Sequence, residues 1–218
     1  MGTLSNTYPN SVAVEEALDR ANRAEVDIIS IKERLENLEY DAAKINRFTA
    51  NPSLCEMGSS NTIDLEWNTN KPSALQTING VEVEGNSKQY TGITATTTFS
   101  LVISDDKTTA IKDVDVVFAN QIYYGTATNL SNVTSLPSVL SNDKTRTFTV
   151  AAGAGQYIVY AIPKRLGTVV FYVGGFEGGF ETPAEQTLQN NSGYGEVYYV
   201  YRSTNANLGN TTIEVKEV

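Results

Sequence analysis

Residues 11–47 read SVAVEEALDRANRAEVDIISIKERLENLEYDAAKINR, and apolar or small side chains recur through this stretch in three-four alternation. Val14, Ala21, Ile28, Leu35 and Ala42 occupy position a of a heptad, and Ala17, Ala24, Ile31, Leu38 and Ile45 occupy position d. The seam runs unbroken for more than four heptads, which predicts a helical rod ~54 Å long. One amphipathic helix could instead lie along its own domain, so the flanking charges decide between the two. In a parallel coil the g positions Arg20, Asp27 and Arg34 meet the e positions Glu25, Lys32 and Glu39 of a neighbouring copy, and all three pairs are opposite in sign. Ile28 and Ile31 put isoleucine at both a and d, which favours three strands over two, although the alanine layers nearer the amino end weaken that preference. A parallel homotrimer is expected, with Ser11 as a cap, Glu15, Glu16 and Asp19 in the first turns, and Lys44 and Arg47 closing the helix.

Outside this rod the composition changes. Residues 12–47 hold 15 of the 41 charged side chains, and the other 182 residues are rich in Thr, Gly, Asn, Val and Tyr. The heptad is lost over residues 48–62 and Pro, Gly and Ser appear, which reads as a linker containing the single cysteine, Cys55, as a small buried hydrophobe. Over 63–118 the pattern has period two: Ile63, Leu65 and Trp67 alternate with Asp64 and Glu66, and Phe99, Leu101 and Ile103 with Ser100 and Ser104. Asn79-Gly80 is a strong hairpin signal. An immunoglobulin-like β-sandwich is expected there. Alternation vanishes over 119–218, where Tyr157–Ile162, Val169–Val173 and Val197–Tyr201 are apolar on both faces. This predicts a second antiparallel β-sandwich, jelly-roll-like, whose central sheet is covered by its partner sheet on one side and by a neighbouring subunit on the other. Residues 1–10 precede the rod. The fold class is therefore mainly β with an N-terminal α-helical coiled coil.

Charge and residue counts exclude much chemistry. With 16 basic and 25 acidic side chains the formal charge is −9, unsuited to a nucleic-acid partner. There is no histidine, so imidazole relays and imidazole metal sites are absent, and one cysteine permits neither an internal disulfide nor a zinc cage. No cofactor or metal is expected. The first residues lack the basic and apolar regions of a secretory signal, and no apolar stretch is long enough for a membrane span, so no membrane insertion is expected.

Glu177, Glu181 and Glu185 lie in and beside the run Gly174–Glu181, and glycoside hydrolysis needs two carboxylates. Acidic residues in Gly-rich loops are more often solvated, so no catalytic residue is assigned. Asp105, Asp106, Asp113 and Asp115 do not form the Asp-x-Asp-x-Asp-Gly pattern of a calcium loop. Tyr194 and Tyr198, with Asn190 and Asn191, are candidate glycan contacts, because flat apolar rings beside amides suit a polyol. The alternative is that the carboxy-terminal tyrosines are core or subunit interface.

The coil, the run Ile63-Asp64-Leu65-Glu66-Trp67 with Lys71-Pro72 and Gln76-Thr77-Ile78-Asn79-Gly80, the junction Ile122-Tyr123-Tyr124-Gly125, and the closing Tyr198-Tyr199-Val200-Tyr201-Arg202 and Leu208–Val215 together resemble virion appendage proteins of tailed bacteriophages. The resemblance implies a trimeric head fibre or tail fibre/baseplate protein: an arm bound to other virion proteins, a trimeric stalk, and β-sandwiches exposed on the exterior of capsid or tail. It implies assembly in the host cytoplasm, adhesion to host or environmental surface glycans, and no catalytic residue. The modest length, with no long β-helical shaft, favours a short head fibre. A phage-borne glycan hydrolase or esterase on the β-sandwich head is the alternative class, and a bacterial surface adhesin is a third.

Overall fold

The structure is a computed structural model that describes residues 11–72 and 75–218. The expected docking arm, residues 1–10, lies outside the described residues. The described chain forms two compact units, a helical one ending at Ala42 and a β one from Ala43 to Val218.

The helical unit is a single helix, α1 (Ser11–Glu39), of 29 residues and about 44 Å at the usual rise. It stops short of the expected end at Arg47. Ala42 and Ile45 lie beyond it, and Lys44 and Arg47 do not close it. The reason is competition from the β unit. Ala43 N–H donates to Thr108 Oγ1 at 3.1 Å and Lys44 N–H to Asn70 Oδ1 at 2.8 Å, while Ile45 pairs with Thr69 and packs on the first core. A ladder plus buried apolar area outweighs two further helical turns ending in solvent.

The first part of the β unit contains β1 (Ile45–Asn51), β2 (Leu54–Glu56), β3 (Asn61–Thr69), β4 (Leu75–Ile78), β5 (Val81–Glu82), β6 (Ser87–Ile93), β7 (Thr97–Ser104) and β8 (Thr109–Ala127). A sheet in the order β1-β3-β6 shares one core with β8-β7-β4-β5. The period-two pattern puts Ile63, Leu65 and Trp67 of β3 and Phe99, Leu101 and Ile103 of β7 into that core. Trp67 meets Phe48 edge-on, and its Nε1–H donates to Gln76 Oε1 at 2.6 Å. Asn79 and Gly80 turn between β4 and β5 with φ of 50° and 79°, the left-handed pair that the hairpin requires. The expected linker, 48–62, is not one: Phe48 and Cys55 are core residues on β1 and β2, because three- and seven-residue strands are enough to capture a polar, Pro-containing stretch.

The second part contains β9 (Ser138–Ser141), β10 (Arg146–Ala152), β11 (Tyr157–Pro163), β12 (Val169–Val173), β13 (Phe176–Glu177), β14 (Ala184–Gln189), β15 (Gly195–Arg202) and β16 (Gly209–Glu217). The sheet β10-β16-β12-β13 shares a core with the run β14-β15-β11-β8. Aromatic rings fill that core: Phe148 stacks on Tyr160 at 5.7 Å, and Phe171 stacks on Phe180 at 3.8 Å and meets Tyr201 at 5.0 Å. On the opposite face of β11, β15 and β8, Val159, Ala161, Val200, Tyr123 and Tyr198 cluster with Leu130, Val133 and Leu136 from the connection after β8. The strands that lack alternation are thus covered on both sides, and the second cover is the chain's own loop where a neighbouring subunit was expected.

No boundary falls at 118/119. Strand β8 pairs with β7 through its first half, with β2 at Val117–Ala119, and with β9 and β11 through its second half. Both sandwiches therefore hang on one backbone.

Burial raises the tyrosine hydroxyl pKa of Tyr160 and Tyr198 well above the ordinary value of 10.0. The unfolded chain then loses protons from these groups before the folded one does. Stability is full below pH 10 and falls as pH rises beyond it. The Tyr160→Phe variant is expected to flatten this alkaline loss by up to about 1.4 kcal/mol per pH unit, measured by urea unfolding between about pH 10 and 11.

Candidate functional sites

On α1 the predicted seam is solvent-facing. Val14, Ile28, Ile31 and Leu35 are each more than half exposed, and Leu38 is 81% exposed. Ala17, Ala21 and Ala24 are also exposed, whereas Ala42 and Ile45 are half-buried outside the helix. Ile31, Arg34, Leu35 and Leu38 line a shallow apolar groove of about 240 Å³. All six predicted interhelical ion-pair residues, Arg20, Glu25, Asp27, Lys32, Arg34 and Glu39, lie on the helix with exposed side chains. Arg20 Nε–H donates to Glu16 O one turn back. The last turn carries Glu36 and Glu39 and no basic residue, the wrong sign for the carbonyl end of a helix. An apolar stripe and an acidic carboxy end both leave the isolated helix short of stabilisation.

In the β unit the four candidate glycan residues separate. Tyr198 is buried at 2% exposure, and its hydroxyl donates to Gln121 O at 2.9 Å, so it is a core residue and not a surface contact. Position 198 lies on the face of β15 that the connection after β8 covers. Asn190 organises a turn: its Oδ1 accepts from Ser192 N–H and Tyr194 N–H, and its Nδ2 donates to Met57 O at 2.7 Å. Asn191 and Tyr194 are exposed.

What the sequence did not reveal is a polar cluster where the two sandwiches meet. Asn120, itself buried, donates to Glu196, which also pairs with Arg165 at 3.0 Å; Arg165 reaches Asn142 at 2.7 Å, and Asn142 donates to Phe118 O. Nearby, Glu56 accepts from Gln121, Ser192 N–H and Ser192 Oγ–H. The members come from five separate stretches of chain, so no spacing could announce them. A buried amide beside a nearly buried carboxylate holds one geometry because each member has a partner.

The three carboxylates of the Gly-rich run are also dispersed. Gly174 and Gly175, at φ of 59° and 87°, make the tight turn joining β12 to β13. Glu177 accepts from the Tyr172 hydroxyl at 3.1 Å, Glu181 accepts from Arg202 Nε–H and Nη2–H at 2.8–3.1 Å, and Glu185 pairs with Lys164 at 2.6 Å. The pairing of Glu181 with Arg202 raises the Arg202 pKa further, chiefly through the hydrogen bond. Glu177 and Glu181 border an open cleft of about 310 Å³ whose apolar lining includes Phe171, Phe180, Pro183 and Tyr201. The aspartates behave as turn and strand residues: Asp105 accepts from Lys107 and Thr108 N–H and pairs with Lys71, and Asp115 accepts from Thr98. Among the described residues no three acidic or cysteine side chains converge as a metal would need.

The chain matches no protein-family model and no curated protein. Among the described residues no helix is long and apolar enough to cross a membrane.

Asn190 and Asn191 should part company on mutation. Asn190→Ala is expected to cost about 1–3 kcal/mol in a denaturant melt, because it strands Tyr194 N–H and Met57 O. Asn191→Ala should stay within about 0.5 kcal/mol of the parent.

Proposed function

We propose that this chain is a non-enzymatic structural protein of a tailed-phage virion. In this reading it is a homotrimeric fibre on the exterior of the capsid or tail, assembled in the host cytoplasm. Residues 1–10 bind other virion proteins, α1 winds with two parallel copies into a stalk, and the two β-sandwiches, the first immunoglobulin-like, face the medium and adhere to surface glycans. Nucleic acid and membrane are not partners, and no cofactor is used.

The observation that carries this reading is the exposed seam of α1. Five large apolar side chains at a and d stand more than half exposed on one helix, and burying each is worth ~1.5–3 kcal/mol. A second copy is the fitting occupant because the charges beside the seam complement themselves. Arg20, Asp27 and Arg34 face Glu25, Lys32 and Glu39 only between parallel helices, and the same pairing gives the acidic last turn, through Glu39, a cation in Arg34 of the next copy. A non-catalytic head is supported by the occupation of Glu177, Glu181 and Glu185 by protein partners.

Light scattering of the pure protein is expected to give about 71 kDa, three times the chain mass of 23.7 kDa, and a value near 24 kDa would remove the stalk. Replacing Ile28 and Ile31 by lysine should yield monomers whose β melt is unchanged. Arg20→Glu should weaken association, and adding Glu25→Arg should restore it; failure of that rescue would mean the copies do not run parallel.

A further inference from the structure

We propose that the cleft beside Phe171 is a binding site for neutral saccharides. Phe180 and Pro183 supply its apolar wall, and the carboxylates of Glu177 and Glu181 are fixed acceptors for sugar hydroxyls. The assignment rests on the adhesive reading of the β head and adds a place and a ligand class to it. A pyranose has an apolar C–H face and a rim of hydroxyl donors. The cleft offers both complements, and its volume of about 310 Å³ falls at the small end of ligand pockets, which run from ~300 Å³ upward.

Preorganisation distinguishes this cleft from a solvated acidic loop. Arg202 holds Glu181 through Nε–H and Nη2–H, and Glu181 N–H donates to Arg202 O at 2.9 Å, so side chain and backbone are both fixed to β15. Gly178 N–H donates to Phe171 O at 2.8 Å and ties the other lip to β12. A carboxylate has about four acceptor positions, so Glu181 keeps capacity for a sugar hydroxyl while paired. Little further ordering is needed on binding.

Charge selects the ligand class. Two carboxylates at the rim and a chain charge of −9 disfavour phosphate and uronate. The nearby cations already have partners, Arg202 in Glu181 and Lys216 in Glu214. Arg202 balances Glu181 and leaves Glu177, bonded to the Tyr172 hydroxyl, as the rim's net negative charge, so a cationic ligand is the competitor that choline tests. The apolar wall beside hydroxyl acceptors favours a neutral polyol over a small cation.

Saturation-transfer NMR on the full chain tests this with glucose, galactose, N-acetylglucosamine, N-acetylgalactosamine, rhamnose and their short oligomers, with glucuronate and choline as counter-probes. At least one neutral sugar is expected to bind with a Kd of about 1 mM or tighter. Glu181→Gln and Glu177→Gln, which each exchange a charged acceptor for a neutral amide of the same shape, should each weaken binding tenfold or more, with the fold retained and the melting temperature of Glu181→Gln lowered by no more than a few degrees through its weaker bond to Arg202. Tyr194→Ala should bind as the parent. Silence across the neutral panel, unchanged affinity in both rim variants, loss confined to Tyr194→Ala, or preference for glucuronate or choline would each overturn the assignment. Rim-dependent sugar binding by a protein that scatters as a monomer would support the cleft while removing the stalk, and new reducing ends from a bound oligomer would support the cleft while removing the non-enzymatic reading.

Discussion

The β unit depends on one strand. From Thr109 to Ala127 the chain stays extended for 19 residues, and each half contributes to a different sandwich. Its side-chain pattern changes to match. The first half alternates, with Val116 and Phe118 turned into the first core, whereas Ala119, Asn120, Ile122 and Tyr123 are buried nearly in succession where sheets or loops lie on both sides. Two sandwiches joined by a flexible linker would reorient freely. Two sandwiches on one continuous backbone can reorient only by breaking ladder hydrogen bonds. The Asn120–Glu196–Arg165 cluster and the contacts of Glu56 with Gln121 and Ser192 lie at this handover, so polar groups exposed by the change of partner strand are satisfied by one another.

The helix has the opposite character. Its stability is not written into its own contacts. A lone surface helix gains little from propensity, and α1 adds an exposed apolar seam and two glutamates at its negative end. Five buried large side chains would contribute roughly 8–15 kcal/mol per chain before ordering costs, enough to make association and helix formation one event. In the proposed coil the alanines at 17, 21 and 24 would contribute less area but permit close approach of the backbones, so most of the gain would lie between Ile28 and Leu38. The charge pairs at e and g of that coil would be worth only tenths of a kcal/mol each, and would choose direction rather than hold the copies together.

How much was legible follows from how local each signal is. The strands of the first sandwich and the Asn79-Gly80 turn were readable because period-two burial and left-handed φ are properties of a few neighbouring residues. The unbroken apolar runs at 157–162 and 197–201 showed that both faces are covered, but could not say by what. The cover at Leu130, Val133 and Leu136 sits in a loop with no period of its own. The helix end was misplaced because Ala42 and Ile45 keep the heptad while also fitting a strand. The choice is made by Asn70 and Thr108, far along the chain. The candidate site shows the same limit. Tyr194 and Tyr198 look equivalent in sequence, yet one is exposed and one is core, and the Glu181–Arg202 grip joins residues whose spacing carries no motif.

The proposed stalk and the proposed cleft also bear on each other through valency. A shallow cleft with two carboxylate acceptors and a partly aromatic wall is suited to millimolar affinity for a single sugar, too weak to hold a particle on its own. Three copies presented together convert the second and third contacts into intramolecular events, so avidity can exceed a single site's affinity by ~10²–10⁴ without any new contact. This gain requires each cleft to keep a fixed geometry within its head. The continuous β8 fixes the two sandwiches to each other, and the backbone ties at Gly178 and Glu181 fix the lips of the cleft to β12 and β15. A rigid weak site gains far more from repetition than from tighter individual contacts. That gives physical sense to a 29-residue helix whose large apolar a and d side chains are each more than half exposed.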